Sequence, residues 1–186
     1  MLVVLTGKTA SGKDTIKQRL LSKFPNLKKV ITTTSRSLRA GEINDVDYHF
    51  LTREEFQKKI ETGEFAEYVE YGGNLYGTYK SELEIALTGD VLWRIDPSRA
   101  GEVRDFLEKS FNKEFKVCVI YITAPDEVIL KRLQRRNLPQ EEIKKRMEDD
   151  KNIWEKYSQN YDFIVENKEG SLEETVDKVS QIVSRA

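Results

Sequence analysis

The chain has 186 residues, the size of one compact α/β domain, and its 38% hydrophobic residues suffice for a core beneath a surface that draws on the 34% that are charged. Lys and Arg number 31 against 32 Asp and Glu, a net charge of −1, so there is no basic excess to grip a polynucleotide, and any bound anion must be held by a local cluster. The single cysteine, Cys118, excludes an intrachain disulfide and a cysteine-based zinc site, and no apolar run reaches the length of a membrane span.

Met1-Leu2-Val3-Val4-Leu5 is too short, and lacks the basic flank, for a signal peptide, so a cytoplasmic location is expected. Residues 2–6 read as a buried parallel strand, and 13–24 as a helix with Ile16, Leu20, Leu21 and Phe24 on one side. A second strand is expected at 29–33, a polar irregular stretch at 34–51, and a short helix at 53–62 closed by Gly63. Residues 64–71 and 75–78 look extended, joined by the turn signal Gly72-Gly73-Asn74. Two further strands, 89–96 and 115–123, flank a helix over 98–111. Helices follow from Pro125 and over 139–157, the latter with Ile143, Met147, Trp154 and Tyr157 inward, then a strand at 163–165 and a helix at 172–183. Alternating strands and helices imply an α/β fold, a parallel sheet with helices on both faces. Residues 32–80 break that rhythm and read as a small mixed α/β insertion.

Gly7-Lys8-Thr9-Ala10-Ser11-Gly12-Lys13-Asp14-Thr15 follows the first strand and opens the first helix, the context a phosphate-binding loop (P-loop) requires. Its glycines let backbone N–H groups turn inward, the helix N-terminus adds its dipole, and Lys13 reaches the phosphates. A plain Gly-containing turn is the dull alternative, which the strand–helix context disfavours. Asp14 stands where a magnesium-binding Ser or Thr is usual, with Thr15 next, so which of the two supports a metal stays open.

The segment from Thr32 to Glu42, with Arg36 and Arg39, then Val46-Asp47-Tyr48-His49-Phe50, resembles the monophosphate-binding stretch of guanylate kinases. So do Gly63-Glu64-Phe65-Ala66-Glu67-Tyr68 and Gly73-Asn74-Leu75-Tyr76-Gly77-Thr78. Ile95-Asp96, Arg132-Leu133, Arg136, Ile143 to Arg146, and Tyr161 to Asn167 continue the likeness nearly to the end of the chain.

The resemblance implies a P-loop nucleoside-monophosphate-kinase-like fold. Its core would be about 1–31, 80–124 and 158–186, with a GMP-binding region at about 32–79 and a helical lid at about 125–157. It implies transfer of the ATP γ-phosphoryl group to GMP or dGMP, with Mg2+ as cofactor and no nucleic-acid or membrane partner. Arg36, Arg39, Tyr48 and Tyr76 would hold the GMP phosphate; Glu67, Thr78 and Asp96 would read guanine, supported by Thr32. Gly7 to Thr15 and Arg136 would bind ATP, and Lys13, Arg36, Arg132 and Arg146 would carry catalysis.

The chemistry suits these residue types. Arg forks and phenols match a phosphate dianion; a carboxylate accepts from guanine N1–H and its 2-amino group, and a Thr hydroxyl can serve O6. Adenine would leave Glu67 unpaired.

Each residue also has a plainer reading. Arg132 and Arg136 can be solvated surface residues, Tyr68 and Tyr71 packing, His49 structural, and Trp93 and Trp154 core. Two other functions stay open: a ribose 1,5-bisphosphate phosphokinase, and a non-catalytic guanylate-kinase-like interaction module. Arg94 departs from the family's paired aspartates; strand spacing makes Asp96 its expected neighbour, with a cation near the phosphates as a second reading and, as a third, an enzyme weakened or altered in substrate by loss of a carboxylate that supports the metal or the arginines.

Overall fold

The structure, a computed structural model, describes every residue except Gly72 and Asn137. The Gly72 position of the expected turn and the Tyr71 side chain lie outside that description.

In chain order the first elements are β1 (Leu2–Gly7), α1 (Lys13–Lys23), β2 (Lys28–Lys29), β3 (Thr33–Thr34) and β4 (His49–Phe50). Then come α2 (Arg53–Glu61), β5 (Phe65–Tyr71), β6 (Asn74–Tyr79), α3 (Lys80–Glu84) and β7 (Val91–Arg94). The last are α4 (Pro97–Gly101), α5 (Val103–Ser110), β8 (Val117–Thr123), α6 (Asp126–Gln134), α7 (Gln140–Tyr157), β9 (Phe163–Glu166) and α8 (Leu172–Arg185).

Five strands form a parallel sheet in the order β2-β7-β1-β8-β9. Every residue of β1 is buried, because both faces of the sheet are covered. Alternate β1 residues feed opposite cores. Leu2 and Val4 join Trp93, Tyr121, Tyr157 and Tyr161 on one face, while Val3 and Leu5 join Ile16, Leu20, Val176 and Val179 of α1 and α8 on the other. The expected α/β fold with helices on both faces is therefore present, and Cys118 is buried in β8 as its apolar run implied.

Residues between the first two parts of that sheet build a second one, in the order β4-β3-β6-β5. Its β5–β6 hairpin is antiparallel and packs Phe65 and Leu75 on Phe56 of α2. That helix begins with a capping box, Thr52 accepting from the Glu55 N–H while Glu55 accepts from the Thr52 N–H.

Three expected elements differ. The strand expected at 29–33 is two strands in two sheets, since Lys29 pairs with Leu92 and Thr33 with Gly77. The helix expected at 98–111 is broken at Glu102 into α4 and α5. Gly101 there lies so close to Tyr157 that a Cβ would stand 2.5 Å from its ring. The strand expected at 89–96 stops at Arg94, after which Asp96 caps α4 by accepting from Ser98 N–H at 2.9 Å.

Candidate active site

The loop between β1 and α1 is tight. Gly7 has φ 147°, and a Cβ there would stand 2.0 Å from the Ile122 carbonyl oxygen. Gly12 has φ 93°, with Asn167 Nδ2 2.5 Å from where its Cβ would be. Both positions therefore demand glycine. Asn167 donates to the Ser11 carbonyl at 2.7 Å, and Arg132 Nη1 donates to the Ala10 carbonyl at 3.1 Å. Lys8 pairs with Asp126 at 2.7 Å. The Lys13 ammonium folds back onto the Lys8 carbonyl at 2.9 Å. Burial, then the neighbouring Arg94 charge, lower its pKa to about 8. A bound anion would raise it again.

Arg94, at the end of β7, does not pair with Asp96. Its Nε lies 3.2 Å from Asp14 Oδ1 in the first turn of α1. Period-two spacing fails here because the strand has ended, and Asp96 turns away to cap α4.

In the second sheet, Glu67 of β5 stands opposite Thr78 of β6, next to a register shift in β5. The Thr78 hydroxyl donates to Glu67 Oε1 at 2.8 Å, so its hydrogen is committed there and not open for a guanine O6. The Glu67 side chain is 7% exposed, and Arg99 Nε lies 3.8 Å from Oε2. Burial raises the Glu67 pKa to about 7, against the pull of Thr78 and Arg99, with the Asp96 charge also raising it. Glu67 and Thr78 are thus in direct contact, with Asp96 close enough for its charge to act on Glu67. Arg99, which sequence reasoning missed, also donates to the Tyr68 carbonyl at 2.8 Å and to Glu102 at 2.9 Å.

Arg36 is held by Glu42 at 2.8 Å, and its guanidinium lies over the Tyr48 and Phe50 rings at 5.6 and 5.5 Å. Tyr76 of β6 pairs with Thr34 of β3, just before Arg36 in the chain. Arg39 is exposed; its backbone N–H donates to the Glu42 carboxylate at 2.8 Å and its carbonyl accepts from the Glu42 N–H at 3.1 Å. The Thr32 carbonyl accepts from His49 N–H at 2.9 Å. His49 itself bridges Asp45 and Glu82, a structural place.

The helical region divides. Arg132 reaches the loop, whereas Arg146 pairs with Glu142 on its own helix at 2.6 Å, and Arg136 is exposed. Asp150 of α7, also missed, accepts from the Thr9 backbone N–H at 2.8 Å. The signal was there: Asp150 falls on the inward stripe Ile143, Met147, Trp154, Tyr157, where an acid needs a partner.

Among the described residues no three His, Cys, Asp or Glu converge on a metal position, so there is no all-protein cage. The Asp14 carboxylate, 62% exposed beside Lys13, suits magnesium, which keeps several waters and takes its other oxygens from a carboxylate and substrate phosphates. Thr15 is exposed one residue on, about 100° further around the helix.

The family model described as guanylate kinase matches residues 1–186. The chain is 33% identical over 187 residues to the guanylate kinase of Desulfitobacterium hafniense, covering 98% of this chain and 88% of that one. It is 31% identical over 185 residues to a rice protein named guanylate kinase 2, chloroplastic/mitochondrial, of whose length it spans 63%. The crystal structure of guanylate kinase from Anaplasma phagocytophilum superposes with a TM-score of 0.72 at 27% identity, covering 100% of this chain and 84% of that one. With a glycine-locked loop at the end of β1 and a second sheet carrying a buried carboxylate, the chain belongs to the guanylate kinase family.

Proposed function

We infer that this chain transfers the γ-phosphoryl group of ATP to GMP or dGMP, giving ADP and GDP or dGDP, and serves purine nucleotide metabolism in the cytoplasm. The observation that carries this reading is the buried Glu67–Thr78 pair, whose carboxylate and the Lys13 ammonium of the loop both feel the charge of Asp96. A carboxylate held away from water accepts from guanine N1–H and the 2-amino group. Adenine offers an acceptor at N1 and would leave Glu67 desolvated and unpaired, at a cost of about 1–3 kcal/mol or more.

In this reading Thr78 aims Glu67 rather than contacting O6, and the Asp96 charge acts on Glu67. Arg36 exchanges part of its Glu42 contact for the GMP phosphate, with Arg39, Tyr48 and Tyr76 around it. The loop N–H groups and Lys13 hold the ATP phosphates, Arg132 bridges the lid to the loop, and Arg146 and Arg136 gain phosphate contacts only on further closure. The acceptor oxygen is ionised at neutral pH, so the protein positions two anions and neutralises charge, and no general base is needed. Bound Mg2+, beside Asp14 or Thr15, would supply charge neutralisation on the phosphates. The intact Gly12-Lys13 loop argues against an interaction module, and the Glu67 site against a sugar phosphokinase.

A coupled assay with ATP across AMP, GMP, dGMP, CMP and UMP tests the reading. GMP and dGMP should exceed AMP at least ~10²-fold in kcat/KM, given the unpaired-group penalty. Equal values for AMP and GMP would sink it.

A further inference from the structure

β7 ends at Arg94 beside Leu5 of β1, two residues before the phosphate loop begins. Neighbouring residues fix the side-chain direction: Trp93 belongs to one core and Leu92 to the other, so Arg94 projects on the α1 face, toward Asp14. Its charge acts on Lys13 as well as on Lys17 one turn along α1, so it stands beside the lysine of the phosphate loop. Asp47, the neighbour of Tyr48, acts on Lys17 from the second-sheet region.

Asp14 meets the guanidinium at its Nε edge, as an ion pair, since Nε has no aligned hydrogen bond among the described residues. The Nη1 and Nη2 groups have no acceptor among the described residues, and the side chain is 34% exposed. A fork anchored at its rear beside Lys13, with its two terminal nitrogens without an acceptor among the described residues, is built to receive an oxyanion.

We propose that Arg94 is a catalytic residue whose terminal guanidinium nitrogens contact the phosphoryl group in transit, with Asp14 positioning it. The inference rests on the phosphotransferase reading above. In the step itself an ionised oxygen of the GMP phosphate forms a bond to the γ-phosphorus. The bond from that phosphorus to the β–γ bridging oxygen breaks, and ADP leaves with the electron pair; no proton or further reactant is required. Charge spreads over the three equatorial oxygens during transfer, and an Arg fork bonds them more strongly there than in the ground state.

The experiment is a cycle of Arg94→Met, Asp14→Asn and the double variant, with Arg94→Lys as a milder change. Each is measured for GMP phosphorylation, for binding of ADP and GMP singly, and for binding of ADP–aluminium fluoride in the presence of GMP. Arg94→Met should lower kcat ~10²–10³-fold, as for loss of a donor used in the transition state, with either KM changed only a few-fold. It should weaken the aluminium fluoride complex and leave ADP alone bound as in the parent. Arg94→Lys should restore only part of the loss, lacking the fork. Asp14→Asn should cost ~10-fold or less, and the double variant should stay as slow as Arg94→Met.

Recovery of the double variant to the parent rate would mean that Arg94 only balances Asp14, and would overturn the proposal. So would a parent-like kcat in Arg94→Met. If Arg94→Met does not fold, Arg94→Lys decides, with an unchanged kcat counting against the role. A parent without GMP turnover would overturn both readings, whereas an active parent beside an unaffected Arg94→Met overturns this one alone.

Discussion

Thr78 donates its hydroxyl hydrogen to Glu67 at 2.8 Å, joining two side chains that are withdrawn from solvent on adjacent strands of the second sheet. One hydrogen bond and an Arg99 Nε 3.8 Å away do not repay the desolvation of a carboxylate, so burial lifts its pKa to about 7.

That burial makes Glu67 a stability cost. Its folded pKa lies above its unfolded one, so the group favours folding below the unfolded pKa, and this contribution is lost as pH rises through about 7. By pH 8 the ionised group costs the free protein up to ~3 kcal/mol. Glu67→Gln keeps an acceptor for Thr78 and removes the charge. It should therefore be more stable than the parent at pH 8, by ~1–3 kcal/mol in urea unfolding, and level with it at pH 5. It should also lose GMP turnover while binding ADP normally. A variant less stable than the parent at pH 8 would show that Glu67 is better satisfied than its contacts imply.

The same ionisation sets a pH limb for the acceptor substrate. kcat/KM reports the free enzyme, so for GMP it should fall below pH 7, approaching ~10-fold per pH unit as Glu67 protonates. ADP binding should change little over pH 6 to 7 in the same buffers, where Lys13 stays charged. A GMP profile flat across that range would remove Glu67 from guanine recognition.

Much of this arrangement was legible in the sequence. The buried run of β1, the glycines around Lys13 and the alternation of elements carry local signals that tertiary context did not override. Where the chain changes partner, local signals are silent. Nothing in Lys29-Val30-Ile31-Thr32-Thr33 tells that its ends join different sheets, because both ends are equally suited to a strand. Arg94 was matched to Asp96 by strand periodicity, which lapses where the strand does; its partner Asp14 is remote in sequence and was visible only once β7 lay beside β1. Arg99 looked like one more charged helix residue, although it touches Glu67, Tyr68 and Glu102.

Lys13 is half-buried and lowered to about 8, mainly by desolvation, so the free protein holds a cation where it is poorly solvated. This suits a group whose partner arrives with the substrate. Lys13→Met should lower kcat by ~10³-fold or more, because the lost contact strengthens in the transition state. Its melting temperature should not fall, since desolvation of the charge outweighs what its neighbours return. Turnover near that of the parent would mean that the loop does not hold the ATP phosphates.

Asp150 supplies the last test. Its carboxylate sits on the Thr9 N–H, one of the inward donors that make such a loop an anion site, while the Lys13 and Lys8 charges act on it. Burial raises its pKa, offset in part by the Thr9 bond, so the group gains from the loop much as a phosphate oxygen would. ATP or ADP must then displace α7 from Thr9, or share the loop with a like charge. Either lowers nucleotide affinity. Asp150→Asn keeps the shape and a weaker acceptor but removes the charge, so it should bind ADP ~3–10-fold more tightly by titration calorimetry, the scale of one partly screened charge contact. Asp150→Ala should gain similarly, with a looser loop and faster amide exchange at Thr9. If both variants bind ADP more weakly than the parent, Asp150 supports the loop from behind and does not occupy the phosphate position.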